Sequence, residues 1–187
     1  GIHTVVKSKA KRLQEFYKNY IMIGPYVPKQ AEVEFEPKAP PTIFKQVFEK
    51  LKQEGISCYY GEEAVDKTKT ILIDFSGFFQ QKNEIKKQLW EDYKIDSLTA
   101  GFDYEEPVVW ATAAGKLIEE MAKVLENKRI VVQFHEWLAG PALLYIKKKN
   151  ASVATVFTTH ATVLGRTLTG NGRQLFENLQ QIDVDRE

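Results

Sequence analysis

The chain has 187 residues, 43% of them hydrophobic and 27% charged, a composition typical of one globular domain and not of a disordered or fibrous chain. Its 26 lysines and arginines against 25 aspartates and glutamates leave a net charge of +1, which argues against a nucleic-acid or acidic-membrane partner. Cys58 is the only cysteine, which excludes an internal disulfide framework and favours a reducing, cytoplasmic location. No run approaches the roughly 20 apolar residues that cross a bilayer, and the first residues lack the features of a signal peptide.

Short apolar runs alternate with longer amphipathic stretches along the chain. In the first part, the pattern predicts a strand at 20–23, a proline-rich surface segment at 25–41 and a helix from Ile43 that Gly55 closes. Strands at 56–60 and 70–75 and a helix at 84–93 follow, and then a helix opened by Pro107 and ending at Leu125. The last part is predicted to form a strand at 130–134, a helix at 137–149 and a strand at 153–158. Strands that alternate with helices of this length predict an α/β fold with a parallel sheet covered by helices on both faces.

Polar residues cluster after the strands predicted at 130–134 and 153–158. Ligands of open parallel sheets bind beyond the carboxyl ends of the strands, so these residues are expected to share one crevice. The candidates are Gly1 and Ile2 before the first helix, His135 and Glu136 after one strand, and Thr159, His160, Thr162 and Arg166 after the other. Helix capping explains the threonines equally well, and His3 is interpreted as a surface or capping residue.

Three chemistries compete with anion binding at this crevice. Metal-assisted hydrolysis needs three or four convergent ligands; His135, Glu136 and His160 could supply some, but the chain has no His-Glu-x-x-His spacing, and no metal is expected. A dinucleotide site needs Gly-x-Gly-x-x-Gly after a strand, which the chain lacks. Cys58 lies within a predicted strand, where packing is its ordinary role. Anion binding fits best, because backbone amides, Arg166 and the imidazoles can hold phosphate and sugar hydroxyls.

Two of these segments carry long motifs, at 134–140 (FHEWLAG) and 157–166 (FTTHATVLGR). Both closely resemble motifs of the glycogen synthases of the animal and fungal type. The opening residues 1–10, the short stretch 23–26 (IGPY) and the final 183–187 (DVDRE) are similar to shorter motifs of that family. The resemblance covers essentially the whole chain and is loosest at about 30–80.

The resemblance implies the N-terminal, Rossmann-like half of a glycosyltransferase type B fold, in which two domains face a deep cleft. Such enzymes transfer glucose from UDP-glucose to the non-reducing 4-hydroxyl of an α-1,4-glucan with retention, without a metal or other cofactor. By motif, His135 resembles the active-site histidine, His160 and Arg166 resemble UDP-glucose-binding residues, and Gly1 and Ile2 resemble the glycine loop against the diphosphate. Glu136 is interpreted as a partner that fixes a histidine tautomer and not as a nucleophile.

The sequence also departs from the family pattern. His3 stands where the family usually has tyrosine, and 103–107 (DYEEP) replaces the usual Asn-Asp before the long helix. Against the family pattern, we expect the first strand, part of the glycine loop and the second domain with its Glu-x7-Glu segment to lie outside this sequence, which starts without methionine. We therefore expect an incomplete part of the enzyme, inactive alone and completed by the rest of the polypeptide or a separately encoded half. The alternative is a non-catalytic module that binds a glucan or a nucleotide sugar.

Overall fold

A computed structural model describes residues 2–125 and 128–182 of the chain. Within them the helices are α1 (Ile2–Phe16), α2 (Pro28–Glu34), α3 (Thr42–Gln53), α4 (Lys82–Tyr93), α5 (Phe102–Val124), α6 (Gly140–Lys149), α7 (Val163–Gly170) and α8 (Leu175–Asn178). The strands are β1 (Met22–Pro25), β2 (Phe35–Pro37), β3 (Ser57–Glu63), β4 (Lys69–Asp74), β5 (Val131–His135) and β6 (Ala154–Thr158). Short 3-10 turns lie at Ser76–Gln81, Trp137–Ala139 and Leu179–Gln181. Gly1 and the stretch 183–187, both used in the sequence interpretation, lie outside the described residues.

The described strands form two sheets. The larger has the order β1-β4-β3-β2, with β1 parallel to β4 and the other neighbours antiparallel; the smaller is the parallel pair β5 and β6. The predicted α/β class and its parallel pairing are confirmed, but the larger sheet is mixed. Residues 64–68 connect β3 directly to β4, and so short a connection permits only an antiparallel hairpin.

Most predicted elements are confirmed with slightly shifted boundaries, and two predictions need correction. The segment 25–41 is not simply a surface excursion, because it forms α2 and β2 and buries Ala31 and Phe35. Helix α5 begins at Phe102, so Pro107 lies inside it and does not open it. The acidic side chains in the first turn favour this earlier start, since negative charge is stabilised at the amino end of a helix.

Helix α3 ends as its sequence predicts. Gly55 has a φ of 83°, its N–H donates to the carbonyl of Lys52, and the N–H of Ile56 donates to the carbonyl of Leu51. This pair of hydrogen bonds is the Schellman motif, which needs a residue in the left-handed region after the helix. A Cβ on Gly55 would lie 2.5 Å from the carbonyl carbon of Gly77, so the close approach of two chain segments also requires glycine here.

Helix α5 lies between two groups of buried side chains. Leu117 packs in one core with Ile71 and Ile73 of β4, and Ile118 packs in a second core with Phe134 of β5. One helix therefore supports both sheets and fixes where their ends lie. Among the described residues, no helix has both the length and the hydropathy that crossing a bilayer requires.

The amino end of α5 marks the edge at which the strands finish. Phe102 contacts the ring of Phe79, which follows β4, with ring centroids 5.9 Å apart. Tyr104 lies beside Trp137, which follows β5. The connections after β4 and β5 thus meet at one edge, where α/β proteins place their ligands.

Candidate active site

A pair of histidines stands at the carboxyl ends of β5 and β6. The two strands run parallel, with His135 in register with Thr158, so both end at the same edge. Nδ1 of His135 lies 3.0 Å from Nε2 of His160, and the two rings are nearly parallel, with planes 9° apart. One imidazole donates this hydrogen bond and the other accepts it, which leaves Nε2 of His135 and Nδ1 of His160 free for a ligand.

The environment of His135 favours its neutral form. Burial lowers the pKa of this imidazole first, and the neighbouring His160 and the ammonium of Lys9 lower it further, while Glu136 acts in the opposite direction. Lys9 belongs to α1, so the helix that Ile2 begins also contributes charge to this site. A neutral His135 can accept a hydrogen bond from a hydroxyl, which an imidazolium cannot.

Glu136 adopts a backbone conformation that is rare for a glutamate. Its φ of 65° and ψ of 171° lie in a region that is essentially restricted to glycine, at a cost of about 1–3 kcal/mol. Its N–H donates to the carbonyl of Thr158 at 2.9 Å and so extends the pairing of the two strands by one bond. Strain of this kind is common at functional sites, where the surrounding structure enforces it.

The carboxylate of Glu136 holds the loop that carries His160. Its Oε1 accepts hydrogen bonds from the backbone N–H groups of His160, at 2.5 Å, and Ala161, at 2.9 Å. The His160 amide is the main cause of the lowered pKa of this carboxyl, so Glu136 is ionised. The predicted role as a partner that fixes a histidine tautomer needs correction: Glu136 bonds backbone amides, and the two imidazoles bond each other.

Arg166 lies in an open groove that Ala161, the residue after His160, also lines; neither histidine is part of that lining. Arg166 is exposed on α7 and lines a cavity of about 550 Å³ together with Thr162, Gly165 and Thr169. Thr162 is the N-cap of α7, and its hydroxyl accepts a hydrogen bond from the N–H of Gly165 at 3.0 Å. Thr162 therefore has the capping role that the sequence offered as an alternative to ligand binding. Thr159 is exposed and precedes His160 on the same loop. The groove offers a cation and hydroxyls at the amino end of a helix, a combination suited to an anion.

The third histidine lies elsewhere. His3 is an exposed residue whose Nε2 is 3.9 Å from carboxylate oxygens of both Glu34 and Glu63. Within residues 2–125 and 128–182 these three side chains form the cluster of metal-ligating type, separate from His135, Glu136 and His160. The ammonium of Lys7 pairs with Glu34 at 3.0 Å and Glu63 at 2.7 Å, so a cation of the protein itself already offsets one of the two negative charges.

Two further features complete the site. Burial raises the pKa of the Cys58 thiol to about 12, which leaves it protonated and inert, as its place in β3 predicts. Trp137, two residues after His135, forms an aromatic pair with Tyr104 of α5, with ring centroids 6.1 Å apart. The sequence does not predict this pair, because no periodicity connects Trp137 to Tyr104.

Comparison with known proteins identifies the family. The profile of the glycogen synthase family matches residues 1–187. The chain belongs to the glycogen synthase family. It is 34% identical to the glycogen [starch] synthase of Dictyostelium discoideum over 190 aligned residues, which cover the whole chain and 21% of that relative. The glycogen [starch] synthase of Neurospora crassa is also 34% identical, and the liver enzyme of Rattus norvegicus is 27% identical; the chain covers 27% of each.

The chain therefore spans between about a fifth and a quarter of the length of these relatives, from 21% to 27%. Family membership and the α/β class agree with the resemblance drawn from the two long motifs.

Proposed function

We propose that this chain forms one wall of the active-site cleft of a glycogen synthase, which transfers glucose from UDP-glucose to the non-reducing 4-hydroxyl of an α-1,4-glucan with retention. The observation that carries the proposal is the contact of His135 with His160 at the carboxyl ends of two parallel strands. Membership of the glycogen synthase family gives the reaction class.

In this proposal the β6 side of the site holds the donor. Arg166 and the second imidazole nitrogen of His160 bind the diphosphate, together with the hydroxyls of Thr159 and Thr162. The motif resemblance adds the backbone of Gly1 and Ile2 to this side of the site, although Gly1 lies outside the described residues. As the bond from glucose to phosphate breaks, negative charge grows on the departing phosphate. Donors fixed in place before the reaction stabilise that charge most effectively.

His135 faces the transferred glucose. Its neutral imidazole accepts a hydrogen bond from a sugar hydroxyl through Nε2 and helps to hold the sugar ring as positive charge develops on it. Glu136 acts as a positioning residue, because its Oε1 holds the amides of His160 and Ala161. No covalent intermediate on Glu136 and no metal or other cofactor enters the proposal.

The proposal also assigns the domain organisation. A strand from sequence before Gly1 would pair between β1 and β5, which each pair on one side only within the described residues. Ile23 of β1 packs against the cluster that contains Phe134 of β5, so the two open edges are close neighbours. A second domain would close the cleft over the histidines, and a cytoplasmic location agrees with the single cysteine.

The donor side is tested by kinetics of the full-length protein with UDP-glucose and glycogen. Replacing Arg166 by alanine is expected to raise KM for UDP-glucose at least tenfold, a loss of about 1.4 kcal/mol or more, because a charge-assisted contact to phosphate is removed. Arg12→Ala is the matched control, since Arg12 pairs with Glu15 on the exposed side of α1. Equal KM values for the wild type and Arg166→Ala would remove Arg166 from the donor site. A wild-type protein that transfers no glucose would refute the proposed function itself.

A further inference from the structure

The residues that follow the two histidines differ in chemistry. His160 is followed along the chain by the exposed Arg166 in α7. Trp137 comes two residues after His135, and 50% of its surface is exposed. Tyr104, from the first turn of α5, lies beside it with its ring plane only 9° from that of the indole. Trp137 is therefore held in a fixed orientation with much of the indole open to solvent.

The aromatic surface extends along the amino end of α5. Phe102 is 59% exposed and contacts Phe79, with ring centroids 5.9 Å apart. We call Trp137, Tyr104, Phe102 and Phe79 the aromatic flank. Each pair places one largely exposed ring on the surface, Phe102 in one and Trp137 in the other, and exposed aromatic surface beside polar residues is typical of binding sites.

The charges beside the aromatic flank are unsuited to a phosphate ligand. Asp103 and Glu106 are exposed on the same turn of α5. The cations at this place are engaged. Lys82 and Lys86 both pair with the buried Glu105, and the ammonium of Lys82 also lies over the ring of Phe79, 5.4 Å from its centroid. Within residues 2–125 and 128–182 Asp103 and Glu106 have no ion pair, and such carboxylates repel a diphosphate but accept hydrogen bonds from hydroxyl groups. The flank thus suits a neutral ligand that is rich in hydroxyls and has apolar faces.

We propose that the aromatic flank binds the acceptor, a neutral α-1,4-glucan chain, with the indole of Trp137 stacked on the apolar face of a glucose unit near the reacting end. A pyranose ring presents C–H groups on its faces and hydroxyls around its rim. The C–H groups fit the negative face of an aromatic ring, and Asp103 and Glu106 accept the hydroxyls. The inference rests on the proposed function, and Trp137 acts in it as a positioning residue.

Steady-state kinetics of the full-length protein separate the two substrates. Trp137→Ala is expected to raise KM for glycogen about tenfold while KM for UDP-glucose changes by less than about twofold. Trp137→Leu, which keeps apolar bulk without a ring, is expected to do the same, and Trp137→Phe to recover most of the loss. Trp90→Ala is the matched control, because Trp90 is 42% exposed on α4 and its ring faces the ammonium of Lys94.

Each other outcome has a definite meaning. An unchanged KM for glycogen in Trp137→Leu overturns the inference. A rise confined to UDP-glucose also overturns it, since the ring would then stack on the nucleotide base. If the wild type transfers no glucose, the proposed function fails, and binding alone decides the inference. Affinity electrophoresis in glycogen-containing gels must then retard the wild type and Trp90→Ala more than Trp137→Leu, and equal mobility overturns the inference.

Discussion

At the scale of single residues, the site depends on contacts that could not be predicted from the sequence. The positions of His135 and His160 were predictable, because each follows a strand and parallel strands end together. The direction of Glu136 was not, because it depends on a φ of 65° that no propensity assigns to a glutamate. That one dihedral directs the carboxylate to backbone amides and away from the imidazoles.

The coupling of the two histidines leads to a prediction about protonation. Burial, His160 and Lys9 lower the pKa of His135, so replacing His160 by glutamine is expected to raise it towards the ordinary histidine value. Titration of the ring resonances by NMR measures this value, and His3→Gln provides the control. A His135 pKa that stays constant or falls in the His160→Gln variant would show that the two rings are not coupled.

The lowered pKa of His135 also determines how the stability of the folded protein changes with pH. The folded protein holds His135 neutral more strongly than the unfolded chain does, so the unfolded chain binds the proton first. The contribution of His135 is therefore complete above the ordinary histidine pKa and is lost as the pH falls towards the lowered value. In the His160→Gln variant this loss of stability on acidification is expected to be smaller.

At the scale of elements, most of the fold followed from hydrophobic spacing and glycine placement. The apolar positions of α3 and the glycine after it predicted both the helix and its end. The prediction that Pro107 opens α5 was wrong, because the helix starts earlier, at the Gly101 N-cap and the acidic residues of its first turn. The antiparallel pairing of β3 with β4 was not predicted, although no helix is predicted between these two strands and so short a connection permits only a hairpin.

The junction of α3 with the segment after β4 offers a stability test. Gly55→Ala is expected to destabilise the protein by about 2–3 kcal/mol, because it strains a left-handed residue and forces a Cβ against the backbone of Gly77. Gly140→Ala is the matched control, since Gly140 has a helical φ of −54° and a Cβ added to it would meet open space. Chemical denaturation measures both variants. An equal stability change in the two would contradict the close packing of these two glycines.

At the scale of the whole molecule, α5 connects the parts of the proposed site. It packs on both sheets, and its amino end holds Tyr104 against Trp137, close along the chain to His135 at the end of β5. The proposed donor groove of Arg166 belongs to α7, and the proposed glucan surface belongs to α5 and to the turns after β4 and β5, so different elements serve the two proposed substrates. The family could be recognised from two motifs, whereas this division of the site emerged only when the strands and helices were placed together.

The most direct test of the account is the turnover of the full-length protein with UDP-glucose and glycogen, measured for the wild type and for His135→Ala. We predict that His135→Ala lowers kcat by at least about a hundredfold, because a fixed polar contact to the reacting sugar is lost, while the affinity for UDP-glucose changes little. A folded His135→Ala protein with wild-type kcat would contradict the assignment of this strand end as the catalytic wall.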